Sequence, residues 1–144
     1  MKKIIIIGAT SGIGRALAVC YLKAGHQVGI TGRRNNLLQE LKQQYPHQVE
    51  TECFDVTGNE NIQHLNSLIK KLGGMDVFVY NSGTADVHKE LHEANELNTT
   101  KTNVLGFVEL TAHAFNYFVK QGHGQVAATS SIAGNRGNGW VPFY

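Results

Sequence analysis

A glycine-rich turn near the amino terminus has residue types and a spacing that suit phosphate binding. It follows an apolar run at residues 4–7, precedes a stretch with helical periodicity, and reads Gly8-Ala9-Thr10-Ser11-Gly12-Ile13-Gly14. In a strand–turn–helix the first glycine allows a sharp exit, the second lets the backbone approach a pyrophosphate, and the third allows close helix–strand packing. The N–H groups at the helix N-terminus attract the phosphates. Because similar glycines also occur in turns without a ligand, the strand–turn–helix context carries this prediction.

Two arginines follow the second apolar run, where dinucleotide-binding proteins select their cofactor. The segment reads Thr31-Gly32-Arg33-Arg34. An NAD-selective site places an acid here to hold the ribose hydroxyls, whereas an arginine accommodates a 2′-phosphate. Gly32 stands where the acid would be, and the guanidinium groups of Arg33 and Arg34 can bind a phosphate through several N–H groups. The pattern favours NADP(H) over NAD(H); the alternative is two solvated charges at a strand end.

Apolar runs alternate with amphipathic stretches along the chain, and this order predicts the fold. Strands are predicted at 4–7, 27–31, 49–54, 77–80 and 125–130, helices at 12–24, 36–45, 60–72 and 104–120, and a weaker helix at 88–97. Strict alternation of strand and helix predicts an α/β fold, a Rossmann-type doubly wound parallel sheet. The length of 144 residues fits a single dinucleotide-binding domain over residues 1–144.

Apolar residues at three- and four-residue steps predict which helix faces are buried. For the first helix they are Ile13, Leu17, Cys20 and Tyr21, and for the helix at 104–120 they are Phe107, Val108, Thr111, Phe115 and Phe118. The two cysteines, Cys20 and Cys53, are expected to be small buried hydrophobic residues in a reducing compartment.

Polar residues also end the third and fourth predicted strands. Asp55-Val56 follows the third strand, and Asn81-Ser82-Gly83 ends the fourth. Each group alone is explained by the turn chemistry of Asp, Asn and Gly. All of them nevertheless fall at the carboxyl ends of strands, where this architecture binds ligands. We therefore predict that they line the same dinucleotide site as the glycine turn.

Three further residues complete a resemblance to the short-chain dehydrogenase/reductase family. Asn103 precedes Ser131 by 28 positions, and Ser131 precedes Tyr144 by 13. Together with the Gly-x-x-x-Gly-x-Gly turn, this spacing resembles the active-site set of that family. The resemblance implies that Asp55 binds the adenine amino group and that Asn81-Ser82-Gly83 lines the adenine-ribose side. The family usually has a threonine where this chain has Ile7, and some NADP-dependent members have a second basic residue where it has Ser11.

The resemblance also implies catalytic roles for these three residues. Tyr144 would be the general acid for ketone reduction and the base for alcohol oxidation, Ser131 would stabilise the substrate oxygen, and Asn103 would hold a water in a proton relay. Such chemistry needs a hydrogen-bond donor and a proton at the carbonyl oxygen. Because a free tyrosine has a pKa of about 10, the family lowers it with a lysine four residues further on. That position lies beyond residue 144, so we expect a C-terminally truncated domain, without the last strands and helices, that has little activity alone.

Charge and composition exclude several other classes of protein. The net charge is +2 and the 13 basic residues are dispersed, which argues against nucleic-acid and membrane-surface partners. No Cys/His cluster has zinc spacing, so no metal is expected. The amino-terminal apolar run has four residues, whereas a secretory signal needs about 7–15, which favours a cytoplasmic protein.

The expected function is therefore an NADP(H)-dependent oxidoreductase that interconverts a small-molecule carbonyl and a secondary alcohol. One alternative is a dinucleotide-binding or scaffold protein without catalysis. Another is a half-domain whose exposed sheet edge pairs with a second chain. The family resemblance further implies a homo-oligomer, either a dimer or a tetramer.

Overall fold

Five parallel strands form one central sheet. The computed structural model describes residues 1–85, 90 and 92–134, and its strands are β1 (Lys3–Ile7), β2 (Gln27–Gly32), β3 (Val49–Cys53), β4 (Val77–Tyr80) and β5 (Gln125–Ala128). The strand order is β3-β2-β1-β4-β5, with every neighbouring pair parallel. This confirms the predicted Rossmann-type sheet. The order reverses between β1 and β4, which is the point where such sheets bind ligands.

Helices connect the strands on both faces of the sheet. They are α1 (Gly12–Lys23), α2 (Asn35–Gln44), α3 (Asn61–Leu72), α4 (Glu93–Thr100) and α5 (Gly106–Gln121). A π-helical segment, Lys101–Leu105, joins α4 directly to α5, and a short 3-10 helix, Ile132–Gly134, follows β5. The helical run therefore begins at Glu93, well before the predicted start of the long helix at residue 104.

The side chains of β1 separate the core into two layers. Ile5 and Ile7 face a cluster covered by α3 and α5, whereas Ile4 and Ile6 face the cluster covered by α1 and α2. All four isoleucines are fully buried, as a strand covered on both faces requires. This doubly covered strand leads directly into the glycine turn.

The buried face of α1 differs from the predicted one. The helix buries Gly14, Ala18 and Leu22, while Ile13 is 66% exposed and Cys20 is also exposed. Small residues on this face let α1 lie close to the sheet, which turns the larger Ile13 side chain outward. Cys53 is exposed as well, so the expectation of two buried cysteines is wrong.

The buried face of α5 is likewise narrower than predicted. It consists of Gly106, Leu110, Ala114 and Phe118, which recur every four residues. Phe118 was predicted correctly, but Val108 and Phe115 are more than half exposed. The small residues Gly106 and Ala114 let this face pack against α3 and β4, so the bulkier neighbouring residues point away from the sheet. Among the described residues, no helix has the length and apolar character needed to cross a membrane.

We predict that Gly29→Ala lowers the free energy of unfolding by about 1–3 kcal/mol, as overpacking of a core typically does. Gly29 lies in β2 beneath α3, and a Cβ there would be 2.7 Å from Leu72 Cδ1 and 2.9 Å from Leu68 Cγ. Urea denaturation measures the change. The matched control is Gly134→Ala, because a Cβ at Gly134 would meet no described atom within 4 Å. Equal stability of the two variants would contradict the packing described for α3.

Candidate functional site

A cavity of about 490 Å³ opens at the carboxyl ends of β1, β2 and β4. It lies at the reversal of strand order, the ligand crevice of open α/β sheets. Of the residues predicted to bind a cofactor, all except Gly14 line this cavity: Gly8, Thr10, Ser11, Gly12, Ile13, Arg33, Arg34, Asp55, Val56, Asn81, Ser82 and Gly83. The structure therefore brings together residues from four separate parts of the sequence.

The glycine turn is packed tightly at its ends and open in the middle. Gly8 has φ of 85°, and a Cβ there would be 2.6 Å from Ser82 Oγ and 2.8 Å from the Ser82 backbone nitrogen. A Cβ on Gly14 would lie 2.6 Å from Asn81 Nδ2. At Gly12, with φ of 56°, a Cβ would meet no described heavy atom within 4 Å. The first and third glycines thus allow contact with the end of β4, while the second faces open space.

The N-terminus of α1 borders this space. Ser11 is the N-cap residue, and its side chain makes no capping hydrogen bond within the described part of the chain. Its hydroxyl instead accepts a hydrogen bond from Arg34. The first N–H groups of a helix carry a partial positive charge and need acceptors. This end of α1 is therefore suited to bind an anionic group.

Thr31 holds the glycine turn from the side, a role that our sequence analysis missed. Its hydroxyl accepts a hydrogen bond from the Gly8 N–H at 3.2 Å, and its carbonyl accepts one from the Ala9 N–H at 2.8 Å. The residue is buried and lies in β2, one position before the carboxyl end of the strand. Ile7 has no hydroxyl where the family usually has a threonine, whereas Thr31 brings a hydroxyl to the turn from the neighbouring strand. A polar residue ending an apolar strand was the available signal.

The two arginines after β2 have different partners. The Arg34 guanidinium donates to the Thr10 hydroxyl and the Ser11 hydroxyl, each at 2.6 Å. The Arg33 side chain is 67% exposed, and its guanidinium lies 3.4 Å from Asp55 Oδ2. Arg34 is therefore fixed against the glycine turn by neutral acceptors, and no carboxylate of the described residues forms an ion pair with it.

Asp55 is held in place as a carboxylate. Its Oδ1 accepts hydrogen bonds from the backbone N–H and the hydroxyl of Thr57, at 3.0 and 2.9 Å. Partial burial acts to raise the pKa of Asp55, but the Thr57 hydrogen bonds and the Arg33 charge outweigh it and lower the pKa below its usual value. The carboxylate is thus ionised at neutral pH, so both of its oxygens can act only as hydrogen-bond acceptors.

The Asn81 side chain links three strand ends. Its Nδ2 donates to the Gly8 carbonyl at 2.9 Å, and its Oδ1 accepts from the Thr129 hydroxyl at 2.8 Å. These bonds join the end of β4 to the glycine turn after β1 and to the residue after β5. Asn81 therefore fixes the back wall of the cavity rather than pointing freely into it.

A second cavity of about 270 Å³ adjoins the first and contains two of the predicted catalytic residues. Asn103 and Ser131 line it, and both cavities share Ser82, Gly83 and Thr129 among their walls. Ser131 Oγ accepts a hydrogen bond from the Ala133 N–H at 3.2 Å, which leaves its hydroxyl proton available to another acceptor. Tyr144, the third predicted catalytic residue, lies outside the described residues.

Asn103 occupies the π-helical segment rather than the start of an α-helix. Its Oδ1 accepts from the Thr84 N–H at 2.9 Å, and its Nδ2 donates to the Thr84 carbonyl at 2.8 Å. This pair of bonds fastens the loop after β4 to the helical run. Asn103 lines the smaller cavity, and its π-helical setting was not predicted.

Comparison with known proteins identifies the family. The family model for short chain dehydrogenase matches residues 2–144, and the chain belongs to that family. It is 31% identical over 136 residues to an NADP-dependent 3-hydroxy acid dehydrogenase of Escherichia coli, with 92% of this chain and 55% of that protein covered. It is 32% identical over 146 residues to a sorbose reductase of Schizosaccharomyces pombe, with 95% and 57% covered.

Solved structures agree with this assignment. The closed form of serine dehydrogenase complexed with NADP+ matches with a TM-score of 0.87 and 28% identity, over 92% of this chain and 55% of that one. The chain thus spans about half the length of the curated relatives it matches.

Replacing Thr31 by valine should lower the free energy of unfolding by about 1–3 kcal/mol, because the Gly8 N–H loses its acceptor. Thr31→Ser keeps the hydroxyl and is the matched control, with a smaller loss expected. Urea denaturation of both variants measures the difference. If the valine variant were as stable as the serine variant, the Thr31 hydroxyl would not hold the turn.

The lowered pKa of Asp55 predicts a pH-dependent contribution to stability. Because the folded pKa lies below the unfolded value of about 3.9, the contribution is present above that pH and is lost as the pH falls through the folded pKa. The stability advantage of the natural protein over Asp55→Asn should therefore be larger at pH 7 than at pH 3. Denaturation at both pH values tests this, and an equal difference at the two would show that the carboxylate charge contributes nothing.

Proposed function

We propose that residues 1–144 form one dinucleotide-binding domain of an NADP(H)-dependent oxidoreductase that interconverts a carbonyl and a secondary alcohol. The observation that carries this proposal is the larger cavity, which has the uncapped N-terminus of α1 on one side and two arginines on another. One relative is named as NADP-dependent, and one similar structure contains NADP+. Both support the same cofactor class for this chain.

The glycine turn is the part of the cavity that would hold a pyrophosphate. Gly12 faces open space without a side chain, and the first-turn N–H groups of α1 lie next to it. An anion placed there would satisfy these donors and interact favourably with the helix dipole. The bonds from Thr31 and Asn81 to Gly8 hold the turn rigid, so little ordering remains to be done on binding.

Arg34 and Arg33 would recognise the 2′-phosphate that distinguishes NADP(H) from NAD(H). Arg34 already has its guanidinium fixed by the Thr10 and Ser11 hydroxyls, and both hydroxyls border the cavity. Gly32 places no carboxylate beside it, so nothing at this position repels a phosphate. Asp55 and Val56 would bind the adenine, and Asn81, Ser82 and Gly83 would line the adenine-ribose side, as in the resembling family.

The smaller cavity is the place where we propose the reacting carbonyl oxygen lies. The bound nicotinamide would supply or accept the hydride. Ser131 would donate a hydrogen bond to the substrate oxygen, and Tyr144 would act as the general acid or base. Asn103 would take part in the proton relay; although its side chain bonds to Thr84, the amide keeps a second lone pair and a second N–H for a water. The names of the two curated relatives, a hydroxy acid dehydrogenase and a sugar reductase, support a hydroxyl-bearing substrate.

The remaining sequence expectations also stand as proposals. Exposed apolar residues on α5, including Val108, Phe115 and Val119, support a homo-oligomer in which a second copy of the chain covers this helix. A cytoplasmic location stays a proposal from the sequence. The alternative of a dinucleotide-binding protein without catalysis predicts the same cofactor affinity and differs only in turnover of an alcohol or carbonyl.

Substituting Arg34 by alanine tests the assignment of the 2′-phosphate. We expect the dissociation constant for NADPH to rise about 10- to 100-fold, the range for losing hydrogen bonds to a charged group, with little change for NADH. Fluorescence titration of the reduced nucleotides measures both constants.

Arg15→Ala is the matched control for this titration. The Arg15 guanidinium bonds to the Leu37 carbonyl and to Glu40, and it does not line the cavity. This variant should leave the preference for NADPH unchanged. Equal weakening of NADPH and NADH by Arg34→Ala would contradict the assignment, and a natural protein that binds neither nucleotide would contradict the proposed function.

A further inference from the structure

Tyr80 ends β4 with a buried phenol that the proposed chemistry does not use. The residue is only 3% exposed, and its hydroxyl donates to the Thr102 carbonyl at 2.6 Å. Burial, with a smaller effect of the Asp55 charge, raises the pKa of Tyr80 well above its usual value. The phenol therefore stays protonated and remains a hydrogen-bond donor at any pH the protein would meet.

The carbonyl that Tyr80 binds lies inside the π-helical segment Lys101–Leu105. In an α-helix the Gly106 N–H would donate to Thr102, four residues back. Here it donates to the Lys101 carbonyl, five residues back. In this wider register the Gly106 N–H does not bond to Thr102, and the Tyr80 hydroxyl donates to the Thr102 carbonyl.

Gly106 makes room for this contact. A Cβ on Gly106 would lie 3.0 Å from the Tyr80 hydroxyl oxygen and 2.9 Å from the Val56 carbonyl oxygen. On its other side the Tyr80 ring packs edge-on against Phe107, with ring centroids 5.3 Å apart. The phenol is therefore confined between β4 and the start of α5, with the Thr102 carbonyl as its acceptor.

Asn103 lies next to the carbonyl held by Tyr80, and its side chain makes the two hydrogen bonds to Thr84. A return to the α-helical register would rotate this residue by about 100° about the helix axis. Such a rotation would take the amide away from Thr84. Thr84 lines the larger cavity and Asn103 lines the smaller, so their contact joins the two walls.

We propose that Tyr80 is a positioning residue that sets the π register of residues 101–105. It thereby orients the Asn103 side-chain amide toward the Thr84 backbone. The phenol belongs to a residue in the wall of the smaller cavity and acts through the Thr102 carbonyl. The value of this arrangement for catalysis rests on the proposed function, whereas the geometric inference concerns the protein without any nucleotide.

The test is hydrogen exchange and side-chain amide NMR on the nucleotide-free protein, comparing the natural chain with Tyr80→Phe. This variant removes one oxygen and keeps the ring. The Thr84 amide should exchange about tenfold faster, the upper range for losing one hydrogen bond, and the Asn103 side-chain amide resonances should move. Tyr117→Phe is the matched control, because Tyr117 lies near Gly74 at the opposite end of β4 and packs on the same core cluster. It should change neither signal.

A folded Tyr80→Phe variant with unchanged Thr84 exchange and unchanged Asn103 resonances would overturn the proposal. Gly106→Ala gives an independent check, since its methyl group would press on the Tyr80 oxygen. If Tyr80→Phe did not fold, the same two measurements on Gly106→Ala would decide. Faster Thr84 exchange and shifted Asn103 resonances would support the proposal, and unchanged values would overturn it. Because no nucleotide is present, a failure of NADP(H) binding in separate titrations leaves this result unaffected.

Discussion

The close contact between the glycine turn and the end of β4 is the constraint on which the site depends. Gly8 lies so near the Ser82 backbone that a side chain has no space there. The turn is fixed further by Thr31 from β2 and by Asn81 from β4. Since these strands flank β1 on both sides, the parallel register of three strands determines where the N-terminus of α1 points. The geometry of the glycine turn is thus a consequence of the sheet.

The helical run from Glu93 to Gln121 also depends on a glycine for its contact with the sheet. Its last helix, α5, can approach the sheet because Gly106 has no side chain between the Val56 carbonyl and the Tyr80 phenol. Close to this contact, Asn103 bonds to Thr84, and a smaller cavity lies next to the larger one. The two cavities therefore meet along the ends of β4 and β5, where both have Ser82, Gly83 and Thr129 in their walls.

The sheet and most of the larger cavity could be predicted from the sequence because they depend on local patterns. Continuous apolar runs such as residues 4–7 mark doubly covered strands, and Gly8, Gly12 and Gly14 are spaced by the turn itself. The roles of Thr31 and Tyr80 could not be predicted, because each depends on a partner 22 or 23 residues away in the sequence. The buried face of α5 was misjudged because apolar residues cover more than one side of that helix, and only tertiary packing selects among them.

NMR mapping of NADP+ and NAD+ binding on the isotopically labelled protein tests whether the larger cavity binds NADP(H). We predict that NADP+ shifts the backbone amides of Ser11, Gly12 and Ile13 together with the side-chain signals of Arg34. We further predict that NAD+ affects the glycine turn more weakly and leaves Arg34 almost unchanged. Equal effects of the two nucleotides, or shifts confined to the exposed face of α5, would contradict this prediction.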